Sequence, residues 1–395
     1  MFIDKTIVVG ISGGIAAYKA AELVSRFKKL HAKVRVCMTK ASCEFISPLT
    51  LQSLSQAPVA SDMFATPSKW EIEHISLAKA ADIMVIAPAP ANIIGKLANG
   101  IADDIVTATV IATKAKVLIA PAMNINMYEN KAVTQNIEKL KNMGYIIVEP
   151  AIGRLACGTY GKGRLADLDD IIEAVYENLL YEKDLAGKRV LITAGPTREK
   201  IDAVRFITNH SSGKMGYSLA REAKRRGAEV VLVSGKVSLA QIKGIETIYV
   251  DSAEQMYQQV MNHASNSDII VKAAAVGDFK VKNVFSGKAK KDKIKNLELE
   301  KNPDILFELG KNKNYVLIGF CMETEDLELY ASQKLKEKNP DFIIANDLTM
   351  DGAGFATDTN IVKILHQSGE IEDLPIMSKD DLAKEILNRA KILLK

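Results

Sequence analysis

Residues 5–19 read KTIVVGISGGIAAYK, and residues 189–197 read RVLITAGPT. Each is an apolar run that ends in glycine and small polar residues. A run apolar at successive positions fits a strand buried on both faces of a parallel sheet, not the alternation of a half-solvated strand. Outward from the first stretch, Lys5–Gly10 reads as a strand and Ile15–Leu30 as a helix with Leu23, Phe27 and Leu30 on one face. Lys33–Met38, Asp82–Ala87, Lys116–Ala120 and Tyr145–Val148 read as further strands, and Asp169–Tyr181 as a closing helix. Outward from the second, Arg189–Ala194, Glu229–Ser234, Asp268–Ala275, Val316–Phe320 and Asp341–Ala345 read as strands. Lys214–Arg226 reads as a helix ended by Gly227, and Asp380–Leu394 as a terminal helix. The polar stretch Tyr181–Lys188 separates the two series. The expectation is an α/β protein of two Rossmann-like parallel-sheet domains, residues 1–183 and 188–395. Ligands are then expected beyond the C-terminal ends of the strands.

Composition agrees with two ordinary domains. A chain of 395 residues exceeds one core, and 48% hydrophobic with 25% charged residues is a globular balance. A net charge of +4 is too small to argue for nucleic acid. Cys37, Cys43, Cys157 and Cys321 show no CxxC spacing, which speaks against a zinc ribbon or a disulfide framework. MFIDKTIVVG is not a signal peptide, and no run of eighteen apolar residues occurs. The expected compartment is the reducing cytoplasm.

The first half offers five motifs. Gly10-Ile-Ser-Gly-Gly follows a strand and opens a helix, so Gly10, Ser12 and Gly13 suit a phosphate at a helix N-terminus. The spacing is not GxGxxG. Thr39 and Ser42, not an acidic residue, stand after the second strand, which favours a mononucleotide over a dinucleotide. Asp82–Asp104 carries APAPANIIGKLANGIADD, where Pro88 and Asn92 lie on a lean segment that a flat ring can approach. Asn124 in PAMNINM offers an amide to a carboxylate, and reads equally as a turn former. His74 in EHISL reads, by itself, as an ordinary surface or core histidine. Cys157 in ACGTYGKGR sits among glycines that suggest a mobile, substrate-covering flap.

In this order the motifs resemble the flavin-dependent cysteine decarboxylases, specifically phosphopantothenoylcysteine decarboxylase, over about residues 5–180. The resemblance implies a flavodoxin-like fold, FMN held by Gly10, Ser12, Gly13, Thr39, Ser42, Pro88 and Asn92, and trimers with the flavin near a subunit interface. It implies His74 as the base of the oxidative half, Asn124 as the carboxylate ligand, Cys157 as the final proton donor and Met127 beside the substrate. A redox cofactor is needed because loss of CO2 from a cysteinyl amide leaves a carbanion without an electron sink. Oxidation of the thiol to a thioaldehyde creates that sink.

The second half opens with LITAGPTREKIDAVRFITNHSSGKMG, where Gly195 turns the chain and Ser211-Ser212-Gly213 caps a helix at Lys214. Asn209 beside that helix start suits an anion or an acyl-phosphate oxygen. The loop is not a Walker A motif, since Met215 follows Gly213-Lys214. Lys280–Asn296 carries seven lysines against Asp292, either a solvated loop or a cationic lid over a triphosphate. Asp278 suits a base, a ribose or Mg2+.

These motifs, with AAAVGDF, KNPDIL, Gly319-Phe320 and FIIANDL, resemble phosphopantothenate–cysteine ligase across almost all of residues 188–395. The resemblance implies a CTP-dependent reaction through an acyl cytidylate, with Asn209 acting on that intermediate. The implied CTP site is Ala273, Ala274, Asp278, Lys288, Pro303, Asp304, Ile305, Leu306, Phe320, Lys334 and Lys338, with Mg2+ bridging the phosphates. Gly277, Phe279 and Cys321 depart from the usual pattern, and Lys293 competes with Lys288 for the CTP lysine. Together the halves imply two consecutive steps toward coenzyme A in a homo-oligomer with trimeric flavin domains and dimeric ligase domains, an arrangement that would close as a dodecamer. Small molecules are the expected partners, with no nucleic acid and no membrane. Two readings compete. One is a flavoprotein oxidoreductase fused to an NAD-type domain, against which neither half ends its second strand in an acidic residue. The other is a non-catalytic binding module.

Overall fold

The computed structural model describes residues 2–64, 72–155, 158–290, 294, 296–323, 326–347 and 358–394. By its internal contacts the chain divides into two compact units, Met1–Tyr181 and Glu182–Lys395.

The first unit is built on strands β1 (Thr6–Ile11), β2 (Lys33–Met38), β3 (Val59–Ala60), β4 (Ile83–Ala89), β5 (Lys116–Pro121) and β6 (Ile146–Ile147). They form one sheet in the order β3-β2-β1-β4-β5-β6, parallel throughout. The continuous apolar runs are explained by burial on both faces. Ile7, Val9 and Ile11 of β1 enter one core with Leu23, Phe27 and Ile171, while Val8 enters the opposite core with Ile93 and Leu140. Each such side chain contributes about 1.5–3 kcal/mol on burial. The segment expected as one helix from Ile15 begins with a 3-10 turn, Ile15–Tyr18, and continues as the α-helix Lys19–Lys29. Strand order reverses between β1 and β4, so their C-terminal loops diverge and leave a crevice. A hairpin of β7 (Ala151–Arg154) and β8 (Tyr160–Arg164) follows.

The second unit repeats the plan. Its strands are β9 (Arg189–Ala194), β10 (Arg198–Lys200), β11 (Phe206–Thr208), β12 (Glu229–Ser234), β13 (Glu246–Tyr249), β14 (Ile269–Lys272), β15 (Phe279–Val281), β16 (Leu299–Lys301), β17 (Val316–Glu323), β18 (Phe342–Asp347), β19 (Thr359–His366) and β20 (Ile371–Ser378). The main sheet runs β13-β12-β9-β14-β17-β18-β19-β20; β10–β11 and β15–β16 are separate hairpins. It is parallel as far as β18 and then antiparallel through β19 and β20. The sequence reading stopped at Ala345 and did not place that last hairpin. Its outer strand, IEDLPIMS, alternates exposed and half-buried residues and contains Pro375, which an edge strand tolerates. The strand expected over Asp268–Ala275 ends at Lys272, and Ala273–Val276 leave the sheet as a loop.

The boundary segment is not a free linker. Leu185 is fully buried in the second core, and Asp184 accepts hydrogen bonds of 2.8 and 2.6 Å from Arg226 and pairs with Lys391 at 2.9 Å. Among the described residues no helix is long and apolar enough to cross a membrane.

Candidate functional site

The crevice of the first unit holds a cavity of about 620 Å³. Gly14, Ile15, Pro88, Asn124, Arg154 and Arg164 are among its walls. Of the residues expected to hold FMN, Pro88 lines it, whereas Gly10, Ser12, Gly13, Thr39, Ser42 and Asn92 do not. Their placement has physical reasons. A Cβ on Gly10 would stand 2.6 Å from Ile86 Cδ1, so this glycine serves packing on the sheet face. A Cβ on Gly13 would meet that of Ala41 at 2.6 Å, which lets the β1 and β2 loops touch. Gly14 is the glycine that faces open space in the cavity wall. Buried Ser12 donates to the carbonyl of Pro88 and ties the two loops at the point where strand order reverses. Thr39 and Ser42 are buried and bond to each other, Ser42 N to Thr39 Oγ1 at 3.2 Å and Ser42 Oγ to Thr39 O at 2.7 Å. Asn92 is exposed on the helix Ala91–Ala98, and His74 is half-buried on the helix Glu73–Ala80, outside the cavity lining.

Asn124 satisfies both of its readings. Its Oδ1 caps the turn Ile125–Tyr128 by accepting from Asn126 N at 2.8 Å, and the residue also lines the cavity. The β7–β8 hairpin seats itself on this turn. Met123 N donates to Gly163 O at 2.9 Å, and a Cβ on Gly161 or Gly163 would collide with Ile125 or the Met123 carbonyl. Glu149 binds both parts, accepting from Tyr128 Oη at 2.9 Å and pairing with Lys162 of β8 at 2.7 Å. Burial works against its charge, but Lys162 and Tyr128 outweigh it and hold the carboxyl below its usual range. Cys157 lies outside the described residues. Arg154, which ends β7 and lines the cavity with Arg164, was missed; a basic residue ending each strand of a glycine-rich hairpin was the available signal.

A flat aromatic group fits these walls. Pro88, Pro90, Met123 and Leu165 present apolar surface, Gly14 leaves the backbone open, and the volume is in the range of cofactor pockets.

The second unit has two adjoining cavities of about 320 and 450 Å³. The first is walled by Asn209, the Ser211–Gly216 turn, Ala273, Ala274 and Phe320. The second is walled by Pro303, Asp304, Ile305, Leu306 and Lys338. Lys272, Asp278 and Lys334 line both. Asn209 Nδ2 donates to Ala275 O at 3.0 Å, which joins the loop after β11 to the loop after β14. Asp304 accepts from Phe307 N at 3.1 Å and pairs with Lys338 at 2.7 Å; Lys334 donates to Phe320 O at 2.9 Å. Burial opposes the Asp304 charge, but Lys338 more than compensates and lowers its pKa.

One expectation needs correction here. The helix Lys214–Arg225 is capped not by a serine side chain but by Gly213, at φ +78°, with Gly213 N reaching back to Ser211 Oγ at 3.4 Å. A Cβ there would press on Val237, so glycine makes this entry possible. Lys288 is exposed and lines neither cavity. Its neighbour Ala289 is anchored elsewhere, donating to Asp202 at 3.1 Å and accepting from Arg205 at 2.8 Å. Lys293 lies outside the described residues. The three unusual residues are accommodated. A Cβ on Gly277 would make ordinary contacts, Phe279 is half-exposed in the second cavity, and Cys321 is buried beside Ala331 and Leu335.

Lys272 was not singled out in the sequence. A lysine closing an otherwise apolar strand was the signal. Burial pushes its ammonium down to about 8, Lys334 adds to the fall and Asp304 opposes it. No cluster of three or more His, Cys, Asp or Glu able to hold a metal occurs among the described residues.

Comparison with known proteins matches both units. A family model described as DNA/pantothenate metabolism flavoprotein C-terminal domain matches residues 185–393, and one described as Flavoprotein matches residues 3–180. The coenzyme A biosynthesis bifunctional protein CoaBC of Bacillus subtilis (strain 168) is 50% identical over 400 residues, covering 100% of this chain and 98% of that protein. The protein of the same name from Vibrio vulnificus (strain YJ016) is 44% identical, covering 99% and 98%. That from Escherichia coli (strain K12) is 40% identical, covering 97% and 96%.

Proposed function

The chain belongs to the family of bifunctional coenzyme A biosynthesis proteins, and from that premise we propose that its halves catalyse consecutive steps. The second unit joins 4'-phosphopantothenate to cysteine at the expense of CTP. The first decarboxylates the resulting phosphopantothenoylcysteine to 4'-phosphopantetheine. The observation behind the assignment is the contrast in linings: one cavity is mainly apolar with an open glycine backbone, with Lys19, Arg154 and Arg164 among its walls, and the other pair is ringed by Lys272, Lys334 and Lys338. A cytoplasmic setting accords with Cys37, Cys43 and Cys321 standing outside any disulfide.

In the first unit FMN, when bound, supplies the acceptance and return of a hydride. Pro88 and the Gly14 backbone would face it. The Asn124 amide holds the substrate carboxylate, whose departure as CO2 needs no proton. His74 acts as base at the substrate thiol, and Cys157 returns the last proton to carbon. His74 does not line the cavity of its own chain, so the base is supplied by a neighbouring subunit, in keeping with a trimer. The half-exposed Ile15, Tyr18 and Met127 at the cavity rim are the surface such a neighbour would cover.

In the second unit the nucleotide occupies the lysine-rich cavity and the acyl group the cavity beside Asn209. Lys288 joins the phosphates when its loop closes on CTP, and Mg2+ arrives with the triphosphate. Ligase units pair as dimers. The competing NAD-type reading has no support, because the matched model over residues 185–393 belongs to pantothenate metabolism.

The test is one assay. The purified chain receives phosphopantothenate, cysteine and each nucleoside triphosphate in turn, and pyrophosphate and CO2 are followed. Pyrophosphate with CTP, then CO2 and a yellow protein, is the expected result. A colourless protein that takes up no FMN overturns the first assignment, and CTP left intact overturns the second.

A further inference from the structure

The two cavities of the second unit meet at Lys272. This residue ends β14, and its side chain lines both spaces. The charged groups around it come from every wall. Lys334 and Lys338 lie on the helix Leu327–Lys338, Asp304 caps the helix Ile305–Lys311, and Asp278 follows β14. Lys301 borders the second cavity, and Lys214 and Lys379 border the first. Several of these cations are already engaged with protein. Lys334 donates to Phe320 O at 2.9 Å, Lys338 pairs with Asp304 at 2.7 Å, and Lys214 pairs with Asp358 at 2.7 Å. The Lys272 ammonium has no hydrogen-bond or ion-pair partner among the described residues. A part-buried ammonium with no direct partner has lost solvation that the more distant charges of Asp304 and Asp278 offset only in part, so an arriving anion stabilises it more than it stabilises a paired lysine.

The position of Lys272 selects which part of the substrates it meets. With the acyl group beside Asn209 and the nucleotide against Pro303–Leu306, the group at the join is the α-phosphoryl. We propose that Lys272 is a catalytic cation of the ligase half, whose ammonium holds the α-phosphoryl oxygens through both chemical steps. The proposal rests on the ligation reading given above. In the first step a carboxylate oxygen bonds to the α-phosphorus, the bond from that phosphorus to the α–β bridging oxygen breaks, and pyrophosphate leaves with the electron pair. In the second, the amine nitrogen of cysteine bonds to the acyl carbon, the acyl carbon–oxygen bond breaks, the nucleoside monophosphate leaves with the pair, and the amine proton passes to water. Charge on the α-phosphoryl oxygens is reorganised in both steps. A fixed cation in a partly dry site acts most strongly on such charge.

The test compares the full-length wild type with K272M and K272R. In pyrophosphate release, K272M loses about 10²-fold in kcat/KM for CTP, and K272R recovers most of the loss. CTP binding followed by calorimetry weakens in K272M, independently of turnover. The pH profile separates this role from a structural one. Wild-type kcat/KM falls as pH rises through about 8, where Lys272 loses its proton. K272M shows no such limb, and K272R, charged throughout, stays flat at higher activity. Decarboxylation of supplied phosphopantothenoylcysteine is unchanged in both variants and shows that the chain is folded. If K272M keeps wild-type kcat/KM, CTP affinity and alkaline limb, the proposal is overturned while the ligase stands. If the wild type itself releases no pyrophosphate from CTP, the ligation reading fails; CTP binding lost in K272M would then still mark Lys272 as an anion site, and unchanged binding would remove that too.

Discussion

The two units place their cavities at the same point of similar sheets and line them in different proportions. In the first, Gly14, Pro88, Pro90 and Met123 leave flat apolar walls, and the polar side chains Ser12, Thr39 and Ser42 are turned into the loops behind. In the second, four lysines and two carboxylates line the space itself. Apolar walls favour a planar group that stays bound, whereas clustered ammonium groups favour a polyanion that arrives charged and leaves in pieces. The parallel sheet dictates only where a ligand can sit. What it is follows from a few residues at the strand ends.

The largest effect that would break the comparison concerns proton transfer in the first unit. Cys157→Ser is expected to lower formation of the reduced product by about 10²- to 10⁴-fold, with ligation untouched. His74→Asn should do the same at the oxidative step. Because His74 lies outside its own chain's cavity, co-expression of the two inactive variants should restore activity in mixed oligomers. Failure of the mixture to recover would return His74 to the cavity of its own subunit. Next comes Asn209→Ala, which removes the donor beside the acyl site and should slow the ligase by about 10²- to 10³-fold, with acyl cytidylate accumulating in quenched samples. A variant that turns over normally would empty that cavity of its assigned substrate.

These residues also show what a sequence can and cannot expose. The sheets were legible because β1 and β9 are apolar at successive positions, which only two-sided burial explains. The β20 edge was not, because half-exposed alternation broken by Pro375 resembles a loop. At the sites, motif order located Asn124, Asn209 and the Pro303–Leu306 turn, all of which line cavities. Motif order did not distinguish Gly10, which accommodates Ile86, from Gly14, which faces the ligand space, since both need only the absence of a Cβ. Lys272 was hidden for a different reason. One lysine at the end of a strand carries no motif, and its isolation from any partner exists only once the loops around it have folded.

A smaller effect sharpens the role of the glycine hairpin. Gly163 adopts φ +150°, and a Cβ there would strike the Met123 carbonyl. Gly163→Ala should displace β8 from the Asn124 turn and raise KM for the decarboxylase substrate about tenfold, while FMN stays bound. Loss of FMN instead would show that the hairpin supports the cofactor and not the substrate.

The smallest effect should appear in stability and not in either activity at neutral pH. Asp184 belongs by sequence to the boundary and by contact to the second core, where Arg226, itself almost fully buried, and Lys391 hold its carboxyl down to about 2. An unfolded aspartate titrates near 3.9, so folding favours the charged form. The stabilisation is complete above about pH 4 and is lost as pH falls through about 2. Asp184→Asn should therefore cost the second unit about 2 kcal/mol at pH 7, lowering its Tm by about 4–8 °C, with a deficit that shrinks on acidification. The first unit's unfolding should not move. If both transitions shift together, the chain between Tyr181 and Lys188 couples the units, and the division of labour drawn from their cavities does not extend to their folding.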